Sequence, residues 1–309
     1  MDIRSELQIL SNWPEAPEPL LSIVCLAYNQ VNYIGRTLDS FLEQITDFRF
    51  EVVINDDAST DGTTELIADY AARYPHIIKP IFHKENQYSK GFSHGMPTFR
   101  KARGRYIAYC EGDDFWTDPH KLQIQVDFLE RHPDYVITYH DAYVFDENGV
   151  IKPRQLTGRF RRDASRRELQ QGRAISTLTA CFRNVLSEMP EELRTTRMVD
   201  LCWWSLLGAY GKGKFLEQIA PAAYRRHKGG IFSMQADRVQ QRMTLHTYYC
   251  LSRYYQRIGD QALHEYFLVQ VCRLSMASIP LPRKIEAFLL LIGNHSLNLL
   301  KRLNPIHAR

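Results

Sequence analysis

The chain has 309 residues, 44% hydrophobic and 24% charged, a balance expected of a globular protein with a substantial core. Its net charge of +4 is too small to argue for a nucleic-acid partner, and the longest apolar run near the end, 287–292, is too short to span a bilayer. Six cysteines, Cys25, Cys110, Cys181, Cys202, Cys250 and Cys272, show no CxxC pair or metal-ligand spacing, so they read as reduced core thiols of a cytoplasmic protein.

Residues 1–19 form a leader with Pro14, Pro17 and Pro19 and without the apolar stretch of a secretion signal. A continuous apolar run then predicts a buried strand over 20–27. Ile34, Leu38, Phe41, Leu42 and Ile45 recur at helical spacing and predict a helix over 33–45. A second buried strand is expected over 50–55, a helix over 64–74 capped by Thr60 or Asp61, and a third strand over 77–82. After a polar loop come a short helix near 98–102 and a strand over 106–110. This βαβαβαβ order with short connections predicts an α/β fold, a mostly parallel sheet covered by helices. A helix over 121–131 and a strand over 135–139 follow.

Residues 152–173 carry eight Lys/Arg against two acids and no strong apolar period, which reads either as a solvated loop or as a flap meeting an anionic substrate. A strand is expected over 175–184 and a helix over 199–210, opened by Asp200. From Gln235 the chain reads as all helical. The expected organisation is thus a leader at 1–19, a catalytic domain at 20–232 and a helical region at 233–309.

Ligands of parallel sheets bind outside the carboxyl ends of the strands. The strand exits here are AYNQ (27–30), NDDASTDGT (55–63) and CEGDDFW (110–116). Two carry paired aspartates, Asp56/Asp57 and Asp113/Asp114, whose repulsion needs a cation, donor groups or solvent. One acidic turn alone reads as solvent-facing; two on one sheet edge point to a site.

In joint order, LSIVCLAYNQVNYIGRTLDSFLEQ, FEVVINDDASTDGT, ARGRYIAYCEGDDFWTDPHKLQIQVDFLE, MVDLCWW and YRRHKGGIFS resemble glycosyltransferase family two. These are inverting enzymes of GT-A fold, and the CEGDDFW form resembles the bacterial branch that builds O-antigen, capsule and related surface polysaccharides. The resemblance covers roughly the first three quarters of the chain. It implies transfer of a sugar from a nucleoside diphosphate donor, UDP favoured, to a hydroxyl of a saccharide or lipid-linked saccharide, with Mn²⁺ or Mg²⁺.

The same resemblance implies residue roles. Asp57 accepts from the base, within a pocket lined by Ala27, Tyr28 and Asn29; its plain structural use is to cap the turn into 60–62. Asp113 meets the ribose or sugar edge, and Asp114 ligates the metal that neutralises the leaving diphosphate. Glu111 orients its neighbours, with Phe115 and Trp116 as core or wall residues. Asp200 is the catalytic base that an inverting displacement requires, although Val199 stands where a partner Glu is usual; by itself it would read as a helix cap. His227 ligates the metal or donates to phosphate, flanked by Arg225 and Arg226, and Gly229 and Gly230 suit a closing loop. The family's frequent Ala-Arg-Asn segment is missing, which leaves Lys90 or His94 to supply a positive contact.

Other functions fit less well. A dinucleotide-binding dehydrogenase or a sugar nucleotidyltransferase needs a Gly-rich turn after the first strand, and AYNQVNYIG supplies none. A non-catalytic carbohydrate-binding or nucleotide-sugar-binding relative is disfavoured by the joint presence of Asp57, Asp113, Asp114, Asp200 and His227. No QxxRW-like motif points to processive synthesis. The segment 278–309 mixes Lys/Arg with apolar residues at helical spacing and reads as a helix packed on the catalytic domain or on a second copy. Its sharper reading is a helix resting on anionic lipid at the inner membrane face.

Overall fold

The structure, a computed structural model, describes residues 4–90, 98–229 and 235–277. Its elements in order are α1 (Glu6–Leu10), β1 (Leu21–Ala27), α2 (Ile34–Leu42), β2 (Phe50–Asp56), α3 (Thr63–Arg73), β3 (Ile78–Phe82), β4 (Tyr106–Tyr109), α4 (Lys121–Arg131), β5 (Tyr135–Tyr139), β6 (Ala142–Asp146), β7 (Gly149–Lys152), α5 (Arg166–Gln170), β8 (Cys181–Arg183), α6 (Val199–Leu207), β9 (Lys212–Phe215), β10 (Ala222–Arg225), α7 (Asp237–Arg257) and α8 (Gln261–Ala277). The chain divides after Met243 into two compact units.

In the first unit one seven-stranded sheet runs in the order β3-β2-β1-β4-β8-β5-β9. Strands β3, β2, β1 and β4 are mutually parallel, β8 is antiparallel to both its neighbours, and β9 is parallel to β5. The expectation of a mostly parallel α/β sheet under helices is met. β1 and β2 are buried along almost their whole length, as their largely apolar runs suit strands covered on both faces, with the buried Glu51 answered by Ser22 and Arg103. Pro80 falls on β3, the edge strand, where its missing N–H costs no ladder bond.

The helices follow their periodicity. α2 buries Ile34, Leu38, Phe41 and Leu42; Ile45, expected on the same face, lies beyond the helix and is exposed. α3 starts after Gly62, whose φ of +101° suits glycine, and Asp61 accepts the Thr63 N–H at 3.0 Å. The leader is folded: Ile9 of α1 belongs to the core, and Arg4 donates to the carbonyls of Leu42 and Gln44.

Three expectations change. Over 175–184 the strand shrinks to β8, because residues 177–179 form a 3₁₀ turn in which Thr179 Oγ1 donates to Ser176 O at 2.8 Å. The basic segment 152–173 is ordered. Arg161 pairs with Asp141 and Glu217, Arg162 with Glu168, and Arg173, itself buried, donates to the carbonyls of Phe160 and Arg162. A second, three-stranded sheet, β10-β6-β7, was not foreseen.

In the second unit, the C-terminal part of α7 packs on α8 through Leu251, Tyr255, Leu263 and Phe267, with the Tyr255 and Phe267 rings stacked 5.8 Å apart. Cys25, Cys110, Cys181, Cys202 and Cys250 are buried and Cys272 is exposed; all six are free thiols. No helix among the described residues is long and apolar enough to cross a membrane. The expected positive contact from His94, the loop role of Gly230 and every reading of 278–309 lie outside the described residues.

Candidate active site

The three strand exits lie side by side, with that of β1 in the middle. On one side Asp56 is in register with Ala27, and the Asp57 N–H donates to Ala27 O at 3.0 Å. On the other side the Gly112 N–H donates to Leu26 O at 3.0 Å. Position 112 has no room for a side chain: a Cβ there would lie 2.4 Å from Gln30 Oε1 and 2.8 Å from Ile34 Cδ1. Asn29 (φ +49°) and Ala58 (φ +60°) both turn through the left-handed region, unusual for Ala. Two bonds stitch these turns together, Asn29 N–H to Ser59 Oγ (2.8 Å) and Thr60 N–H to Asn29 Oδ1 (2.9 Å). Ala27 is buried while Tyr28 is exposed, so the β1 exit offers an aromatic ring beside Asp57.

The paired aspartates at 56 and 57 divide their work. Asp56 accepts from the hydroxyls of Ser59 and Thr64 and so builds the turn. Asp57 is buried, and its two oxygens accept the backbone N–H groups of Gln87 (2.7 Å) and Tyr88 (3.1 Å). These bonds fix the loop that borders the β2 exit. Sequence patterns do not carry this contact, because both donors are main-chain groups.

The acidic turn is held from two sides. Thr37 Oγ1 lies 2.9 Å from Gly112 O and 2.6 Å from Asp114 O. Opposite, Phe115 and Ala223 form an antiparallel bridge to β10, the Arg225 N–H donates to Asp114 Oδ1 (2.7 Å), and Arg225 Nε donates to Asp113 O (2.9 Å). The Arg225 guanidinium lies 4.7 Å from the Tyr33 ring centre and 4.5 Å from that of Phe145. His227 Nε2 meets Asp113 Oδ2 at 2.7 Å, and its ring rests on Tyr33. Arg226 is exposed, with its own N–H on Phe145 O. Trp116 is a core residue, as expected of a wall beneath the site.

Crowding perturbs the acids. Burial, then Asp113 and Glu111, raise Asp114 well above the usual carboxylate range, against the Arg225 N–H. Glu111 is pushed up to about 8, by burial first and Asp113 second, while the Thr177 hydroxyl on Glu111 Oε2 (2.8 Å) opposes the shift. Asp200, in the first turn of α6, is raised by burial, against hydrogen bonds from backbone N–H groups. Its charge contributes to raising Glu111 and Tyr109. Met198, not Asp200, occupies the N-cap position of α6 and makes no side-chain cap, while the Asp200 carboxylate accepts backbone N–H groups of the first turn.

Asp57, Asp113, Asp114, Arg225 and His227 are thus tied to the three exits, and Asp200 is linked to them through its electrostatic effect on Glu111. His227 meets Asp113, and Asp114 meets the Arg225 N–H. Lys90 is paired with Glu85. Among the described residues no group of three or more His, Cys, Asp or Glu is arranged to hold a metal by itself. A hard cation in a phosphate-transfer setting is commonly held by one or two carboxylates with the substrate's phosphates. The crowded oxygens of Asp113 and Asp114 and the adjacent imidazole fit that mode, since their mutual repulsion leaves uncompensated acceptor charge.

Sequence reading missed a polar core beneath the turn. Lys121 is fully buried, its Nζ 4.2 Å from the Trp116 ring centre and 2.6 Å from Gln125 Oε1. Burial pushes its ammonium down to about 8. The i,i+4 spacing of Lys121 and Gln125 was available as a signal, but on a helix it reads as a solvated pair.

Residues 22–190 match the model of the family described as glycosyl transferase family 2. The uncharacterized protein Rv1520 of Mycobacterium tuberculosis (strain ATCC 25618 / H37Rv) is 38% identical over 216 residues, 69% of this chain and 60% of the relative, so the chain spans less than two thirds of that protein's length. "Putative teichuronic acid biosynthesis glycosyltransferase TuaG" of Bacillus subtilis (strain 168) is 32% identical over 153 residues, 48% of this chain and 57% of that protein. The fold is similar to that of S. aureus TarS 1-349 in complex with UDP-GlcNAc, with a TM-score of 0.53 at 18% identity over 76% of this chain and 72% of that one. With the family model spanning more than half of its length, the chain belongs to glycosyl transferase family 2.

Proposed function

We propose that the protein is an inverting, metal-dependent glycosyltransferase that moves a sugar from a nucleoside diphosphate donor, UDP first, to a saccharide hydroxyl during assembly of a bacterial surface polysaccharide. The observation that carries this reading is the convergence on one sheet edge of Asp57 and the Asp113–His227 contact. Each group answers a need of the reaction. Asp57, beside the exposed Tyr28 ring, accepts from a uracil N3–H within the Ala27, Tyr28 and Asn29 turn. Asp113 receives the ribose or sugar edge. Arg225, Arg226 and His227 face the charge of the diphosphate.

A bound Mn²⁺ or Mg²⁺, held by Asp114 and His227 with phosphate oxygens, would neutralise charge on the leaving diphosphate. Asp200 takes the proton of the acceptor hydroxyl, and burial suits it to that task by raising its basicity. UDP-GlcNAc in the S. aureus TarS structure and teichuronic acid in the name of TuaG agree with a UDP donor and a polysaccharide product. We place the catalytic domain at 20–232, after the leader at 1–19 and before a helical region at 233–309, and the enzyme at the cytoplasmic side of the membrane.

The test is thermal unfolding with UDP, dTDP and GDP, each with Mn²⁺ or with chelator, since a ligand of the native state raises its stability by mass action. A Mn²⁺-dependent rise in Tm with UDP, lost in Asp114→Ala, is the expected result. No rise with any nucleotide would sink the reading.

A further inference from the structure

Beneath the acidic turn, three side chains, Glu111 and Trp116 from the turn itself and Gln125 from α4, converge on three consecutive residues, 177–179. Trp116 Nε1 donates to Leu178 O at 2.7 Å, and Gln125 Nε2 donates to Thr179 O at 2.9 Å. Both donors meet Lys121, whose Nζ donates to Gln125 Oε1 at 2.6 Å and lies over the Trp116 ring at 4.2 Å. From the far side of the same 3₁₀ turn, Thr177 Oγ1 donates to Glu111 Oε2 at 2.8 Å. Lys121, Trp116 and Gln125 are fully buried, whereas Thr177 is partly exposed.

A buried ammonium is costly unless its hydrogen bonds are directed. Here a neutral amide and an aromatic face receive it, and its polarity is passed on to two successive carbonyls. A Leu or Met at 121 would fill the same space with less desolvation cost. What the ammonium adds is direction. It sets the amide orientation of Gln125, since Oε1 must face Lys121 and Nε2 must then face Thr179 O. With Leu178 O and Thr179 O both fixed, the turn has little rotational freedom left, and the Thr177 hydroxyl is aimed at one carboxylate oxygen.

We propose that Lys121 is a positioning residue of the transfer reaction, acting through Gln125 and Trp116 on the 177–179 turn, whose Thr177 hydroxyl orients the Glu111 carboxylate of the acidic turn. This rests on the glycosyltransferase reading above and adds to it a relay from α4 to the site. Lys121 touches neither donor nor acceptor; it holds the group that does the orienting.

The test uses the full chain with Mn²⁺ and nucleotide release from UDP-GlcNAc, UDP-glucose, UDP-galactose, GDP-mannose and dTDP-rhamnose, without acceptor. Water then replaces the acceptor hydroxyl: its oxygen bonds to the anomeric carbon, the bond from that carbon to the phosphate oxygen breaks, and Asp200 takes the proton. The variants are Thr177→Val, Thr177→Ser, Lys121→Met and Trp116→Phe, the last keeping the ring and removing the indole N–H. Thr177→Val lies at a partly exposed position and keeps the relay testable if Lys121→Met does not fold.

The expected result is a kcat lower by roughly 10- to 100-fold in Thr177→Val, Lys121→Met and Trp116→Phe, with the calorimetric Kd for UDP unchanged. Thr177→Ser should recover most of the rate. Combining Thr177→Val with Trp116→Phe should be no slower than the slower single variant, because both break one chain of contacts. Wild-type kcat per folded molecule in Thr177→Val, or losses that multiply in the double variant, would overturn the relay while leaving the glycosyltransferase reading intact. A wild-type protein that releases nucleotide from none of the five donors would overturn that reading, and this inference with it.

Discussion

The guanidinium of Arg197 lies 4.4 Å from the centre of the Tyr88 ring, and the Tyr88 N–H rests on Asp57 Oδ2 at 3.1 Å. Arg197 stands three residues before Asp200, so one aromatic contact joins the loop over the β2 exit to the segment that leads into α6. Such contacts are worth about 0.5–1 kcal/mol when exposed. Arg197→Ala is therefore expected to weaken UDP binding by roughly 2- to 5-fold and to lower kcat as well. Calorimetry and steady-state kinetics with the same donor check both effects, and a change in neither would show that the two segments act separately.

Asp57→Asn would keep one acceptor oxygen but turn an NH₂ group toward a backbone N–H that Asp57 now accepts. Hydrogen bonds to charged groups are worth about 1.5–3 kcal/mol. The variant is expected to raise the UDP Kd by 10-fold or more and to make 85–90 more open to limited proteolysis. Unchanged proteolysis would mean that the loop does not depend on this carboxylate.

Asp200→Asn should lower kcat by roughly 10²- to 10⁴-fold with donor binding intact, the usual contribution of a general base. Burial raises the Asp200 pKa, and a base acts in its deprotonated form. The acid limb of kcat therefore lies at higher pH than an ordinary aspartate gives, with rate increasing as pH rises through it. A pH profile that is flat down to the ordinary aspartate range would remove Asp200 from this role.

The sequence showed β1, β2, β4 and the polar exits because buried parallel strands write themselves as largely apolar runs. It also placed Asp113, Asp114 and His227 near one another through motif order. The β6–β7 hairpin was not legible: all of β7 is exposed, so it has no apolar alternation to detect. Arg173 was misread within its basic segment for the opposite reason, and Lys121 drew no reading of its own, since a buried cation held by carbonyls and amides has the same letter as a solvated one. Gln87 and Tyr88 left no trace because they act on Asp57 through their main chain.

Stability at low pH should report on Glu168. The hydrogen bond from Arg162, foremost, holds its carboxyl down to about 2, with the N–H and hydroxyl of Ser165 contributing and burial opposing. A depressed carboxyl stabilises the fold above its unfolded-state pKa, near 4.3, and that stabilisation is lost as pH falls from there toward about 2. Glu168→Gln should lower Tm at pH 7 and flatten its fall across that window. An unchanged Tm-versus-pH curve would show that the capping box of α5 does not need the charge.

Gly112→Ala tests how tightly the first exit is built. The added methyl meets Gln30 Oε1 at 2.4 Å and Ile34 Cδ1 at 2.8 Å, so the side chains or the turn must move, at a cost of about 1–3 kcal/mol. A lower Tm together with weaker UDP binding is expected. A normal Tm with lost binding would place the strain wholly on the turn.

The bridge between Phe115 and Ala223, with Arg225 on Asp113 and Asp114, gives the site a place in time. While the chain is being synthesised, β1 to β4 can assemble soon after residue 109 has emerged, because their partners lie within that stretch. The acidic turn then waits, exposed and without its second clamp, until β10 has been made. Nascent or truncated chains that stop before 222 would carry the parallel sheet, yet they would lack the main-chain N–H on Asp114 and the imidazole on Asp113. The second clamp on the acidic turn is thus set late in translation, by the last of the motifs to leave the ribosome.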